Sequence, residues 1–368
     1  MHLSSDAMRI LMARFSPYKK YGGNYKEICQ NIIKSCWNGR YFQTSAKGFT
    51  EFYVRDFAFC AESLCRLGFV KEVRLSLEYA LHHFQKHGQI KTKVSRNGTP
   101  VDIFHIAPDS LALLIRTFIV TKNHDLAEKY RHFLNKEIRR YYDVIINKST
   151  GLVKSGYFSS VRDHTIRHSS MYDNAMIAFL RENLSTLKLE NPFKKYDYKQ
   201  KIKKLFWTGS YFRDSLESQD VTGDANIFPF WLGIFKSSSM LKQSIRAIEE
   251  NGLSDPYPLK YSAKKSQKNP ISNKSLSFAN FFAPNYQGDT IWMQNGMLYL
   301  KLLATVNRKK FLLYFNKYKT LIEHHGNFLE LFTKEGQIYR TLFYKADEGL
   351  LWCSMFLDLD LERAAQAK

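Results

Sequence analysis

GDTIWMQNGMLYL, residues 288–300, carries the pattern that decides the fold: one acidic residue, Asp289, and then a run that is apolar on nearly every side. A helix with one flank in water shows an apolar stripe, whereas a helix apolar all round is enclosed by protein. The same kind of start recurs at RDFAFCAESL (55–64), PDSLALLI (108–115), YDNAMIAFL (172–180), GDANIFPFWLG (223–233) and DEGLLWCSMFL (347–357). With Asp56, Asp109, Asp173, Asp224, Asp289 and Glu348 as markers, the intervals are 53, 64, 51, 65 and 59 residues, which is the loose period of one repeated unit.

Each enclosed run is preceded by a helix of another kind. KEVRLSLEYALHHF (71–84) is amphipathic, as a helix covering one face of a core must be. Apolar spacing predicts six pairs: 24–36 with 56–67, 70–86 with 108–120, 123–143 with 169–183, 194–206 with 226–236, 238–250 with 290–304, and 307–325 with 348–361. Period-2 alternation is confined to a possible hairpin near Ile90 to Val101. The expected fold is therefore all-α, an (α/α)6 toroid of six helical hairpins with amphipathic helices outside and apolar ones inside. One domain would span 1–368, its first ~20 residues forming an N-terminal arm.

An acidic residue at a helix start satisfies free backbone N–H groups and complements the helix dipole, so six capping acids are expected. Their inner helices would point their N-termini at one end of the toroid. Loops 87–107, 144–168, 207–225, 251–288 and 326–347 are long for helix connections and would build one acidic, aromatic pocket there. CWNGRYFQTS (36–45) resembles FWTGSYFRDS (206–215), a second sign of repetition. The 251–288 loop, with Pro256, Pro258, Pro270 and the run SAKKSQKNPISNKS, is expected to be partly mobile.

A net charge of +21 draws anions, so nucleic acid, acidic membrane surfaces and anionic glycans all come into question. The basic residues are dispersed through segments such as Lys199 to Lys204, Lys264 to Lys268 and Arg308 to Lys310, which read as solvated faces; with no nucleic-acid motif present, nucleic acid is not an expected partner. No stretch approaches the ~18 apolar residues of a membrane span, and the N-terminus has no uninterrupted apolar run. Five cysteines without a Cys-x-x-Cys spacing imply reduced thiols in a cytoplasmic protein, with no metal and no cofactor. The oligomeric state stays open.

Hydrolysing a glycosidic bond needs one carboxylic acid to protonate the leaving oxygen and one carboxylate to activate water or attack carbon. Asp163, in a loop before an inner helix and flanked by Arg162 and His164, is one candidate. Glu330, between Leu329 and Leu331, is another, because a carboxylate among apolar neighbours is costly to bury. Trp292, Trp231, Trp207, Tyr157, Phe158 and Tyr286 could stack on sugar faces, Trp292 best of all. Arg55 beside Asp56, and the pair Asp109 and Asp224, could hold sugar hydroxyls or cap their helices.

At these residues the chain resembles the (α/α)6 glycosidases: neutral and alkaline invertases, the glucosidase domain of glycogen-debranching enzymes and, more distantly, glucoamylases and trehalases. HIAPDSLALLIRTF (105–118) is similar to the second inner position of the invertases. VRDHTIRHSSMYDNAMIAFLR (161–181) resembles the segment carrying the general acid and, after a His or Pro, the next inner helix. YQGDTIWMQNGMLYL (286–300) is similar to a helix start of the debranching enzymes, and NFLELFTKEGQIYRTLFYKADEGLLW (327–352) to the segment bearing the general base.

The resemblance implies an inverting, exo-acting hydrolase of a small oligosaccharide or terminal sugar, with Asp163 as acid and Glu330 as base. It further implies Arg55, Asp56, Asp109, His168, Asp173, Asp224, Trp292 and Glu348 as substrate-binding residues. The acid segment is one residue shorter than in invertases, and Asp173 stands where they usually carry Glu, which leaves Asp173 a rival acid. The alternative is a toroid without turnover that binds or senses an anionic glycan.

Overall fold

Asn24 opens the first helix of the ring. Its side chain accepts from the N–H groups of Lys26 (2.9 Å) and Glu27 (3.4 Å), and Glu27 accepts in return from the Asn24 N–H (2.8 Å), a reciprocal capping box. The helix so started, α1 (Tyr25–Cys36), turns Ile28, Cys29, Ile32 and Ile33 inward and leads to α2 (Val54–Arg66), which is buried along most of its length. The alternation then repeats. Outer α3 (Val70–His87) precedes inner α4 (Pro108–Val120), and outer α5 (His124–Lys129) and α6 (Arg131–Ile145) precede inner α7 (Met171–Asn183). Outer α8 (Tyr198–Phe206) precedes inner α9 (Gly223–Trp231); outer α10 (Ser238–Glu250), followed by an additional α11 (Lys274–Phe282), precedes inner α12 (Met293–Val306). Outer α13 (Arg308–His325) and inner α14 (Cys353–Ala365) complete the six pairs.

The computed structural model describes Met12 and residues 14–156, 158–265 and 274–365. Most of the expected N-terminal arm, Tyr157 and the 266–273 part of the 251–288 loop lie outside the described residues. Inner helices pack in the order α2, α4, α7, α9, α12, α14 and back to α2, a closed ring, with the outer helices against them. Leu111 to Ile115, five residues in succession, are at most 1% exposed, which only a helix surrounded on every side permits. No described helix is long and apolar enough to cross a membrane.

Short strands sit in the loops at the N-terminal end of the inner ring. β1 (Phe52–Tyr53), β2 (Lys93–Val94) and β3 (Pro100–Val101) form an antiparallel sheet in which β2 and β3 are the expected hairpin. β4 (Ile291–Trp292) pairs antiparallel with β5 (Leu331–Phe332), Trp292 opposite Leu331. The two similar loops adopt the same hairpin: Trp37 bridges Phe42 and Trp207 bridges Phe212, with ring centroids 5.2 and 4.8 Å apart. They belong to the first and fourth pairs, half a ring apart.

Several boundaries differ from the periodic reading. The β4–β5 pairing delays α12 to Met293. Gly233, at φ 72°, ends α9 early: its N–H turns back to Phe230 and the Ile234 N–H to Pro229, a left-handed helix end. The last inner helix starts at Cys353, after Leu350 has bridged Ser45.

The six acids are not helix caps as expected. Asp56, Asp109, Asp173 and Asp224 do lie in first turns, but the caps of α2, α4 and α9 make no side-chain bond, and Asp289 and Glu348 fall outside their helices. The acids instead reach sideways. Asp109 accepts from Arg55 of α2 and Tyr172 of α7, both at 2.8 Å, so one carboxylate joins three inner helices. At the opposite end the inner C-termini are closed by Glu62, which takes Arg116 (3.1 Å) and Lys301 (3.3 Å), with the Arg116 guanidinium 3.8 Å over Trp231.

Gly296 shows how closely the layers approach. A Cβ there would meet the Tyr318 hydroxyl and stand 2.7 Å from the Pro258 carbonyl oxygen, so a residue that ordinarily weakens a helix is retained for clearance. Gly296→Ala is expected to destabilise by about 1–3 kcal/mol despite Ala's better helix propensity, read as a lower urea midpoint at unchanged slope.

Candidate active site

The loop 144–168 brings Asp163 to the mouth of the inner ring. Its Oδ2 accepts from Arg55 Nη1 (3.2 Å) and its Oδ1 from Ser159 Oγ (2.8 Å). Arg55 is itself fixed by Asp109 from Nε, so Asp163 rests on the spoke that ties α2 to α4. The side chain is 11% exposed, against 0% for Asp109 on the same guanidinium. His164 follows: its backbone N–H donates to Gln287 (2.8 Å), its Nδ1 meets Asn280 Oδ1 (3.2 Å), and burial lowers its pKa, so the ring is neutral at pH 7.

Glu330 precedes β5, where the β4–β5 pairing sets its backbone carbonyl on the Met293 N–H (3.2 Å). Its carboxyl is 1% exposed and meets three donors: the Tyr286 hydroxyl at Oε1, and the Tyr344 hydroxyl (2.5 Å) and Asp347 N–H (2.8 Å) at Oε2. Burial nonetheless raises its pKa to about 8, and the Asp347 carboxylate adds to the rise; the three donors only partly oppose it.

Tyr286 connects the two carboxylate sites. Its hydroxyl is on Glu330 while its ring lies 4.8 Å from that of His164, the residue after Asp163. Trp292 stands against the other side of Tyr286 (4.8 Å) and is anchored by its indole N–H on the Tyr286 carbonyl (2.9 Å). Trp352 continues the aromatic wall, 6.2 Å from Trp292, and donates its indole N–H to Asp56 (3.0 Å), whose pKa burial raises to about 6.

Hydroxyl donors favour the charged form of Glu330, so removing one must raise its pKa further. Tyr344→Phe is expected to move the Glu330 titration above 8, followed through its carboxyl ¹³C shift; a titration at or below the wild-type position contradicts this hydrogen-bond network.

The remaining expected residues divide. Asp173, N-terminal in α7, exchanges hydrogen bonds with Ser170 (2.7 and 3.0 Å), and burial raises its pKa to about 6. Asp224 is fully buried on Arg167 (2.6 Å). Arg167 also holds Asp214 (3.0 Å), which accepts from Thr222 (3.1 Å) and faces Arg162 at 3.5 Å. Burial works against the Asp214 carboxylate, but the two guanidiniums outweigh it and lower its pKa.

His168 is half exposed, on Ser155 (3.1 Å) and 3.9 Å from Glu217. Glu348 is buried and fastens the start of the chain through the Lys19 N–H (2.6 Å), Lys47 (2.9 Å) and Asn327 (3.1 Å). Trp231 lies at the far end of the ring and Trp207 on its outer wall, so neither joins the aromatic wall. Phe158 stands beside His105 (6.1 Å). Asp214, Arg162, Arg167, Tyr344 and Asp347 are additions; Asp214 had been visible only as part of the repeated loop FWTGSYFRDS. Among the described residues no cluster of His, Cys, Asp and Glu could hold a metal ion.

No protein-family model matches the sequence, and no curated protein matches it. Solved structures do match. A wild-type glycosidase superposes with a TM-score of 0.66 at 13% identity, over 98% of this chain and 98% of that one. A GH63 mannosylglycerate hydrolase from Thermus thermophilus, in complex with Tris and D-glycerate, gives 0.64 at 13% identity over 92% of this chain and 100% of that one. A rhamnosidase from Klebsiella oxytoca with rhamnose bound gives 0.65 at 10% identity, over 94% of this chain and 66% of the other. At such identities the likeness is one of fold: this chain has the (α/α)6 toroid on which those glycosidases are built.

Proposed function

We propose that this protein is an inverting glycoside hydrolase that releases a small or terminal sugar unit, with Asp163 and Glu330 as its acid–base pair and the whole chain as one catalytic domain. The observation that carries the reading is the meeting of these two carboxyls at one end of the ring, joined through His164 and Tyr286 beside a wall of Trp292 and Trp352. Arg55 and Asp56 would hold sugar hydroxyls there, and Asp109, Asp173 and Asp224 would fix the helices that carry the pocket. Five free thiols, four of them buried, support a reducing compartment such as the cytoplasm.

In this reaction the oxygen of water bonds to the anomeric carbon as the glycosidic C–O bond breaks. The leaving oxygen takes the acid's proton and the base takes the water's. Resemblance to known toroidal glycosidases makes Asp163 the donor and Glu330 the acceptor. A second reading exchanges the roles, because a carboxyl with its pKa near 8 is a natural proton donor at neutral pH while Asp163 lies on a guanidinium. The sign of the pH dependence separates them. With Glu330 as base, kcat/KM rises with pH through about 8; with Glu330 as acid, it falls there.

The test is a panel of di- and oligosaccharides incubated with the protein, the released sugar being followed by ¹H NMR. Early product of inverted anomeric configuration supports the proposal. Product of retained configuration refutes the mechanism, and binding without release refutes the hydrolase.

A further inference from the structure

A second site lies on the outer wall. Residues of α8 and of the segment entering α10 line a groove of about 580 Å³ there, among them Asp197, Lys199, Lys203, Lys236, Trp207 and Phe235. Lys199 and Lys203 stand one turn apart on the same face of α8, with Lys236 on the segment that leads into α10. All three are exposed, and none forms an ion pair among the described residues. Asp197 also lines the groove and caps α8, where it accepts from the Gln200 N–H (2.9 Å). Trp207 is half-buried and propped by Phe212, so its ring is held rigidly with part of its surface in the groove.

The floor is therefore apolar and the rim mainly cationic, three ammonium groups against the single Asp197 carboxylate. That combination suits a ligand made of rings that carry carboxylates: the ring lies on the indole and the ammoniums take the charge. The groove runs along α8 from Asp197 to Trp207 on the outer wall, and none of its lining residues is among the described residues that contact Asp163 or Glu330, so it is separate from them.

We propose that this groove is a surface site for an acidic oligosaccharide, a chain of uronic acid residues, that tethers a glycan to the outside of the toroid. The choice of a glycan rests on the proposed function; the site itself does not require turnover.

The test is calorimetric titration of the full chain with tetragalacturonate, maltotetraose and tetrauridylate at low salt. It is done on wild type, Lys199→Gln/Lys203→Gln/Lys236→Gln, Trp207→Ala, Trp207→Phe and Glu330→Gln. Tetragalacturonate should bind at least roughly tenfold more tightly than maltotetraose. That binding should be lost in the triple variant and in Trp207→Ala, kept in Trp207→Phe and unchanged in Glu330→Gln, while the triple variant hydrolyses small substrates like wild type. Equal binding of tetrauridylate, insensitive to Trp207→Ala, overturns the proposal in favour of a general polyanion surface. So does an absence of binding, or binding that only Glu330→Gln removes. If tetragalacturonate binds as expected but no glycan is hydrolysed, the proposed function fails and this site stands.

Discussion

Glu330→Gln is expected to act in two opposite directions: turnover should fall by about a thousandfold, and the fold should become more stable above pH 8. The first effect follows from losing a proton acceptor or donor, since an amide does neither job. The second follows from burial. In the folded protein the Glu330 pKa is about 8 against an ordinary 4.5, so between these values the native state holds a proton that the unfolded chain releases. Stability from this group is complete below 4.5 and is lost as pH rises through 8, at a total cost on the order of 3–5 kcal/mol. Gln is neutral throughout, and its amide can accept the Asp347 N–H and one tyrosine hydroxyl while donating to the other. Thermal melts at pH 5 and pH 9 check this. The variant should match wild type at the lower pH and melt several degrees higher at the upper one; a variant less stable at both would show that Glu330 is charged and well solvated in the fold.

Arg55→Met should be among the most damaging single changes, because it strands Asp109 with no exposed surface and its main cationic partner gone. Breaking a buried pair on one side costs about 3–5 kcal/mol. The companion change identifies the cause. In Arg55→Met/Asp109→Asn the uncompensated charge is removed and an amide oxygen still accepts from Tyr172, so more than half of the lost stability should return. Activity should not return with it, since Asp163 has lost the same guanidinium. Urea unfolding measures the first and hydrolysis the second. Simple addition of the two single losses would mean that Asp109 is held by its other neighbours and that Arg55 is no spoke of the ring.

The ring was legible because its cause is periodic. Leu111 to Ile115 read as apolar on all sides, KEVRLSLEYALHHF reads as striped, and the fold is what six such pairs can bury. Boundaries were less legible where a tertiary pairing overrode local preference, as β4 and β5 do before α12. The acids were misread for the same reason. An acidic residue near a helix start is explained locally by capping, but Asp109 is 54 residues from Arg55 and Asp224 is 57 from Arg167. Those partners face one another only once the ring closes.

Glu330 could be singled out because a carboxylate between two leucines has a recognisable cost, whereas its donors Tyr286 and Tyr344 come from two loops whose meeting has no local signature. Asp163 depended more on resemblance, and its setting on Arg55 and Ser159 emerges only from the three-dimensional arrangement. His168 and Glu348 carry the residue types of a binding site and each is engaged within the fold, one beside Glu217 and the other on the start of the chain.

The role of Asp163 is tested by sugar release from the best substrate of the panel by wild type and by Asp163→Asn, whose folds are shown to match by circular dichroism and melting. Wild type should release sugar, and the variant should lose at least about a hundredfold in kcat with KM little changed. An Asp163→Asn protein that releases sugar at the wild-type rate would contradict that role.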